Sequence, residues 1–126
     1  MSDKKPRILI VEDDDLIGEF IKTVVTDIFS YESTGPVISC QEAVKAALND
    51  NFDLIIMDIR LVGPGDGITA SEKIREAGIL TPVLFSSAST EQSTMMRAEK
   101  IENSYFLKKP YEIKDLMREI SALLKR

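Results

Sequence analysis

Short apolar runs alternate along the chain with segments of helical periodicity, and this pattern predicts five βα units. The apolar runs indicate buried strands at residues 7–12, 53–58, 82–86 and 104–108, and the less apolar residues 31–38 are predicted as a further strand, the second along the chain. Between and after them, apolar residues recur every three to four positions, which predicts helices over residues 14–29, 40–49, 67–77, 91–102 and 112–125. Strands that alternate with helices in this way are typical of an α/β fold built on a parallel sheet.

Individual residues refine the ends of these elements. The second strand contains Gly35 and Pro36, so we expect it at an edge of the sheet, where a missing backbone donor is tolerated. Either Asp13 or Asp14 is expected to cap the first helix with its carboxylate. Gly78 follows the third helical segment and fits a helix C-terminus.

Composition limits the classes of function. A length of 126 residues and a net charge of −5 predict one domain, spanning residues 1–126, with no effector domain and no nucleic-acid partner. No apolar run has the length of a membrane span or a signal region, so no membrane partner is expected. Cys40 is the only cysteine, which fits a reducing, cytoplasmic environment. Because histidine is absent, the usual serine triad, most zinc sites and a phosphohistidine carrier are excluded.

Polar residues follow four of the five predicted strands. These four pieces are Glu12-Asp13-Asp14, Asp58, Ser86-Ser87 and Lys109-Pro110. The carboxyl ends of parallel strands meet at one edge of a sheet, so the pieces are expected to converge on one crevice. Carboxylates, a hydroxyl and a lysine gathered there predict a metal-assisted phosphoryl site.

Each piece alone has a simpler interpretation. An acidic run after a strand usually caps a helix, an aspartate there often starts a turn, and a single lysine is usually solvated. Taken together, Asp13 and Asp58 would repel each other unless a cation such as Mg²⁺ lay between them. Asp58 would then act as a nucleophile that forms an acyl phosphate, while Lys109 and the Ser87 hydroxyl bind the phosphoryl oxygens.

The segments RILIVEDD, LIIMDIRL, PVLFSSA and FLKKP resemble the receiver domain of two-component response regulators, from residue 6 to the C-terminus. The resemblance implies a doubly wound, flavodoxin-like (βα)5 fold whose five-stranded parallel sheet has the order 2-1-3-4-5. It also implies that Asp58 accepts a phosphoryl group from a histidine kinase. Asp13, Asp58 and the backbone carbonyl of Arg60 would bind Mg²⁺, and Glu12 would contribute through water.

The resemblance further implies a conformational switch. Ser87 and Phe106 would be the switch residues, and a cis peptide bond would join Lys109 to Pro110. The chain would catalyse its own phosphorylation and dephosphorylation without being a conventional enzyme. The output face would be helix four, strand five and helix five, with partner choice set by surface residues such as Met95, Met96, Tyr105, Tyr111 and Lys114. The two methionines fit core packing at least as well as a partner surface.

The chain departs from the family pattern at several points. The loop after Asp58 is one residue longer than is common, and Val62 stands where a proline is usual. Residues 101–103 replace the Gly-Ala pair that commonly precedes strand five. Arg60 and Ser89 stand at variable positions that tune dephosphorylation in the family. These departures concern partner faces and phosphoryl lifetime more than the chemistry.

Our main hypothesis is a stand-alone receiver that binds a downstream effector, and the first alternative is a phosphorelay intermediate that donates to a histidine phosphotransfer protein. A phosphatase of the dehalogenase class would need a second acid where Arg60 stands. A flavodoxin would need a phosphate loop rich in Ser, Thr and Gly, whereas residues 12–15 are all acidic. A degenerate receiver is disfavoured, because every residue that the chemistry requires is present.

Overall fold

The computed structural model describes residues 4–89 and 91–125, so both ends of the predicted domain 1–126 lie outside the described residues. The five strands are β1 Arg7–Val11, β2 Glu32–Val37, β3 Leu54–Asp58, β4 Val83–Ser87 and β5 Ser104–Lys108. The five helices are α1 Asp15–Thr23, α2 Cys40–Asn49, α3 Gly67–Glu76, α4 Gln92–Glu99 and α5 Ile113–Leu124. Within the described ranges, no helix is both long and apolar enough to cross a lipid bilayer.

The strands form one parallel sheet in the order β2-β1-β3-β4-β5, which confirms the predicted fold. Side chains alternate between the two faces of each strand, so the sheet carries two separate apolar cores. In β1, for example, Ile8 and Ile10 face α1 and α5, while Leu9 and Val11 face α2, α3 and α4. The same alternation continues past the strand ends and decides which helix layer each polar residue faces.

The edge position predicted for β2 is confirmed, and its pairing with β1 is irregular. Leu9 pairs with Thr34, but Val11 pairs with Val37, so the register shifts between these two pairs. Gly35 has a φ of 101° and precedes a cis bond to Pro36. The strand therefore bends where the sequence contains its Gly-Pro pair.

The helix predicted over residues 14–29 is confirmed in extent, but it changes from α to π geometry after Thr23. α1 ends at Thr23, and residues Val24–Ile28 form a π-helical turn in which the Phe29 amide donates to the Val24 carbonyl at 3.1 Å. Asp14 is the N-cap of α1, since its carboxylate accepts hydrogen bonds from the backbone amides of Leu16 and Ile17. The choice between Asp13 and Asp14 is thereby decided, and Asp13 remains available to the sheet edge.

Replacement of Gly67 by alanine is expected to lower the free energy of unfolding by about 3 kcal/mol. The Gly67 amide donates to the Ile59 carbonyl at 2.7 Å, and an added Cβ would overlap the Asp58 carbonyl and approach the Met57 side chain. Chemical denaturation measures this loss. The matched control is Gly63→Ala, whose Cβ would meet no atom within 4 Å and whose positive φ costs only about 1 kcal/mol. Equal losses in the two variants would contradict the close contact.

Candidate functional site: an acidic cleft at the carboxyl edge of the sheet

The carboxyl ends of β1, β3, β4 and β5 surround a cleft of about 670 Å³. Its walls include six of the residues predicted from sequence, namely Glu12, Asp13, Asp58, Arg60, Ser87 and Lys109. The four sequence pieces thus lie at one site. The other two predicted site residues, Phe106 and Pro110, do not line this cleft.

Three carboxylates form the floor of the cleft. Val11 pairs with Met57 in the parallel register, so the next residues, Glu12 and Asp58, lie side by side on adjacent strands. Glu12 is 1% exposed and Asp58 is 4% exposed, whereas Asp13 is half-buried. One carboxylate oxygen from each of these three residues lies within 4.8 Å of the others. Two buried acids and a third at the surface therefore share one small volume.

Lys109 supplies positive charge to these acids. Its Nζ lies 3.0 Å from Glu12 Oε1 and 3.5 Å from Asp58 Oδ2, and its side chain is 15% exposed. The Lys109 backbone amide donates to the Ser87 carbonyl at 3.0 Å, which holds the residue at the end of β5. The peptide bond between Lys109 and Pro110 is cis. The lysine thus bridges the two buried carboxylates.

The electrostatics of the cleft favour a proton or a cation near Asp58. Burial, together with the hydrogen bond and the charge of Glu12, raises the pKa of Asp58 to about 8, although Lys109 opposes the shift. A hard divalent cation that takes carboxylate oxygens would offset the same repulsion. The donor set of Glu12, Asp13 and Asp58 therefore fits Mg²⁺, and this acidic pocket can bind a metal ion.

The predicted switch residues face the other helix layer. Phe106 pairs with Phe85 and packs against the core under α2, α3 and α4, and Ser87 follows on the same side two residues after Phe85. Ser87 is 5% exposed, and its Oγ accepts the Ser89 amide at 3.0 Å. Phe106 lines a second groove, about 640 Å³ in volume, between α4 and β5. The cleft and this groove are therefore adjacent along β4 and β5.

Two of the predicted partner-surface residues differ in exposure. Met96 is 51% exposed, so it is available to a partner rather than part of the core. Tyr111 is half-buried among the residues under α1 and α5, and its hydroxyl oxygen is enclosed. The sequence did not distinguish the two residues. Met96 lies within the amphipathic helix α4, and Tyr111 lies two residues before the amphipathic helix α5.

Sequence reasoning missed an ion pair at the rim of the cleft. Asp66 caps α3 by accepting the Thr69 amide at 2.8 Å, and it also pairs with Arg97 of α4, whose Nη1 lies 2.8 Å from Asp66 Oδ2. Although burial acts to raise the pKa of Asp66, the hydrogen bonds from Arg97 and Thr69 lower it overall. An aspartate directly before the helical segment that starts at Gly67 was the available signal for the cap. Nothing local indicated Arg97.

Comparison with known proteins identifies the family. Residues 8–121 match the family described as response regulator receiver domain. The chain therefore belongs to the receiver domains of two-component response regulators.

Curated relatives extend beyond the length of this chain. The transcriptional regulatory protein YbdJ of Bacillus subtilis is 30% identical over 94% of this chain and 50% of its own length. The regulatory protein VanRB of Enterococcus faecalis is 31% identical over 95% of this chain and 53% of its own length. The chain spans about half the length of the curated relatives it matches.

Solved receiver domains share the fold over nearly their whole length. The receiver domain of the Francisella response regulator 1452 has a TM-score of 0.82 and 28% identity, covering 96% of this chain and 98% of that one. The receiver domain of the sensor histidine kinase PA1611 from Pseudomonas aeruginosa has a TM-score of 0.80 and 26% identity, covering 97% and 99%. That structure holds a magnesium ion coordinated in its active-site cleft.

Proposed function

We propose that this receiver accepts a phosphoryl group on Asp58 from a histidine kinase. The observation that carries the proposal is the buried Asp58 carboxylate, with the Lys109 ammonium 3.5 Å from its Oδ2 and two further carboxylates beside it. Asp13, Asp58 and the Arg60 carbonyl would bind Mg²⁺, with Glu12 acting through water. The bound ion would neutralise negative charge on the transferring phosphoryl group.

The residues of the chain have distinct tasks in this reaction. An Asp58 carboxylate oxygen forms the new bond to phosphorus as the bond between phosphorus and the donor nitrogen breaks. Lys109 binds a phosphoryl oxygen, because its Nζ lies only 3.5 Å from Asp58 Oδ2, the side chain that would carry the phosphoryl group. The cleft orients the donor, and the surrounding acids exclude a phosphate that arrives without a metal ion. Release of phosphate by water completes the cycle, at a rate tuned by Arg60 and Ser89 on the cleft wall.

Ser87 and Phe106 couple phosphorylation of Asp58 to the output face. In the unmodified protein the Ser87 hydroxyl oxygen accepts a hydrogen bond from the Ser89 amide. After phosphorylation the Ser87 hydroxyl donates to a phosphoryl oxygen and moves away from that amide. Phe106 then turns inward beside β4 and alters the face formed by α4, β5 and α5. This change shifts a pre-existing equilibrium of that face and thereby its affinity for a partner.

Mass spectrometry of the intact protein tests the proposed acceptor. Incubation with a small phosphodonor and Mg²⁺ should add one phosphoryl group to the wild type and none to Asp58→Asn. Asp15→Asn is the matched control, because Asp15 is an exposed residue of α1 outside the cleft, and it should gain mass like the wild type. An equal gain in mass in Asp58→Asn and the wild type would show that Asp58 is not the acceptor.

The biological setting is a further part of the proposal. An effector-binding receiver and a phosphorelay intermediate share the same chemistry, and we favour the first. The net charge of −5 supports a protein partner over nucleic acid, and the cytoplasmic location stays a prediction. A pull-down with and without phosphorylation distinguishes the two roles: an effector supports the first, and a histidine phosphotransfer protein supports the second.

A further inference from the structure

The turn of residues 37–39, at the end of β2, holds two separate parts of the cleft. The Val37 carbonyl accepts the amide of Glu12 at 2.9 Å, and the next carbonyl, that of Ile38, accepts the amide of Val62 at 3.2 Å. Glu12 belongs to the acidic run after β1, whereas Val62 belongs to the loop after β3. Two successive carbonyls of one turn thus bind the two segments that carry the proposed ligands of Mg²⁺.

The topology of the sheet explains why these contacts form. β1 lies between β2 and β3, and after Glu12 the chain leaves the sheet toward α1. Beyond that point the segments that follow β2 and β3 pair directly, through a parallel bridge between Ser39 and Val62. The two strands on either side of β1 are therefore joined across its end.

The irregular pairing of β2 decides which carbonyls face these amides. Between the pairs Leu9–Thr34 and Val11–Val37, β1 advances by two residues and β2 by three, so β2 contains one extra residue. A bulge of this kind redirects the residues that follow it, and bulges are common beside active sites. The bulge therefore sets the positions of Val37 and Ile38 relative to the end of β1.

The Arg60 carbonyl, a proposed ligand of Mg²⁺, lies between two fixed points of its loop. On one side the Ile59 amide donates to the Ser86 carbonyl at 3.2 Å. On the other side Leu61 is 9% exposed in the core, and the Val62 amide donates to the turn of residues 37–39. A proline, the usual residue of the family at the position of Val62, has no amide hydrogen and could not make this bond. This chain therefore fixes its longer loop through an amide that the common form lacks.

We propose that the turn of residues 37–39 positions the metal site by holding the Glu12-Asp13 segment and the Arg60 carbonyl at a fixed separation. This inference rests on the proposed function. The turn and Val62 lie outside the lining of the cleft, so they position ligands rather than touch the ion. Mg²⁺ demands near-octahedral geometry with short bonds, whereas Ca²⁺ accepts irregular sets of oxygen ligands at longer distances. A carbonyl held in place therefore favours Mg²⁺ over Ca²⁺.

An ester in place of the Val62 amide tests the inference, because it replaces the N–H group by an oxygen and keeps the side chain. The ester is introduced with the α-hydroxy acid analogue of valine, and calorimetry measures the dissociation constants of Mg²⁺ and Ca²⁺. The matched control is an ester at Tyr31, which removes a backbone hydrogen bond of 2.9 Å to the Val25 carbonyl just before β2, at the opposite end of that strand from the turn. Val62→Ala is a second control, because it changes the side chain and keeps the amide.

The Val62 ester is expected to bind Mg²⁺ about fivefold less tightly than the wild type, the effect of one backbone hydrogen bond. Its affinity for Ca²⁺ should change by less than about twofold, because Ca²⁺ tolerates a displaced ligand. The Tyr31 ester and Val62→Ala should bind both ions like the wild type. All four proteins have the same charge, so a change in the electrostatics of the cleft does not account for such a difference.

Two kinds of result would overturn the inference, and they have different meanings. If the Val62 ester binds Mg²⁺ as tightly as the wild type, or loses affinity for Mg²⁺ and Ca²⁺ equally, the turn does not set the geometry of the site, while phosphorylation at Asp58 stands. If the wild type itself binds no Mg²⁺, the metal-dependent reaction of the proposed function fails, and this inference fails with it.

Discussion

Replacement of Lys109 by alanine is expected to lower the free energy of unfolding by about 3 kcal/mol at pH 7. The ammonium lies 3.0 Å from Glu12 and 3.5 Å from Asp58, whose side chains are 1% and 5% exposed. Without it, the buried Glu12 carboxylate loses its nearest cation in a site that water hardly reaches. Above pH 8, where Asp58 ionises, the two carboxylates also repel each other. The same substitution should slow phosphorylation of Asp58 at least about a hundredfold, since the charge that binds the phosphoryl oxygens is lost.

The neighbouring residue provides the control for this variant. Lys108→Ala removes an equal charge one position earlier in β5, from an exposed side chain that does not line the cleft, and it should change stability by less than about 0.5 kcal/mol. Urea denaturation measures both variants at pH 7 and pH 9. The Lys109→Ala loss should grow at pH 9, where Asp58 has lost its proton in the wild type. A loss that is the same at both pH values would contradict the charge argument.

Asp58→Asn is expected to stabilise the protein at pH 8 by about 3 kcal/mol in the absence of Mg²⁺. Burial and the neighbouring Glu12 raise the pKa of Asp58 from 3.8 to about 8. Between these two values the folded protein keeps a proton that the unfolded chain has lost. The free energy of unfolding contributed by this group is therefore fully present below pH 4 and is lost as the pH rises to 8. Asparagine is neutral and removes this dependence.

With Mg²⁺ present, the wild type should be more stable than Asp58→Asn, which is the reverse of the order expected without the ion. A cation favours the ionised carboxylate, so binding of Mg²⁺ releases the proton of Asp58, and its affinity should rise as the pH increases toward 8. Denaturation at pH 5 and pH 8 with and without Mg²⁺ measures the stability, and calorimetry in two buffers of different ionisation enthalpy counts the proton released. Asp15→Asn, which changes an exposed carboxylate outside the cleft, should follow the wild type throughout. Proton release that is equal in Asp58→Asn and wild type would refute this assignment.

The predictions for Lys109→Ala and Asp58→Asn concern the same cluster of charges, the first by removing a cation and the second by removing an acid. Lys109 is the cation that the buried acids have in the unmodified protein, and a divalent ion is the second one that they can accept. Removing the first cation raises the repulsion, whereas removing the Asp58 charge relieves it.

Local patterns in the sequence predict most of the architecture. The pattern places all five strands to within one residue at either end. For β1, β3 and β4 the reason is that a strand buried on both faces is almost continuously apolar. Helix ends were less accurate: the fourth helix was predicted over residues 91–102 and is α4 Gln92–Glu99. Its few apolar positions leave the ends undefined, since propensity alone does not mark where backbone hydrogen bonds cease. The π turn after Thr23 had no signal in the apolar spacing.

The sequence by itself determined the βα alternation, the edge position of the Gly-Pro strand and the gathering of polar residues at one end of the sheet. These follow from short-range periodicity and from the shared direction of parallel strands. Tertiary structure decided that Asp14 caps α1, that Lys109 pairs with Glu12 as well as Asp58, and that Arg97 pairs with Asp66 at the rim of the cleft. Those facts depend on distances between segments far apart in the chain, and burial turns small differences in such distances into large differences in the energy of a charge or a hydrogen bond.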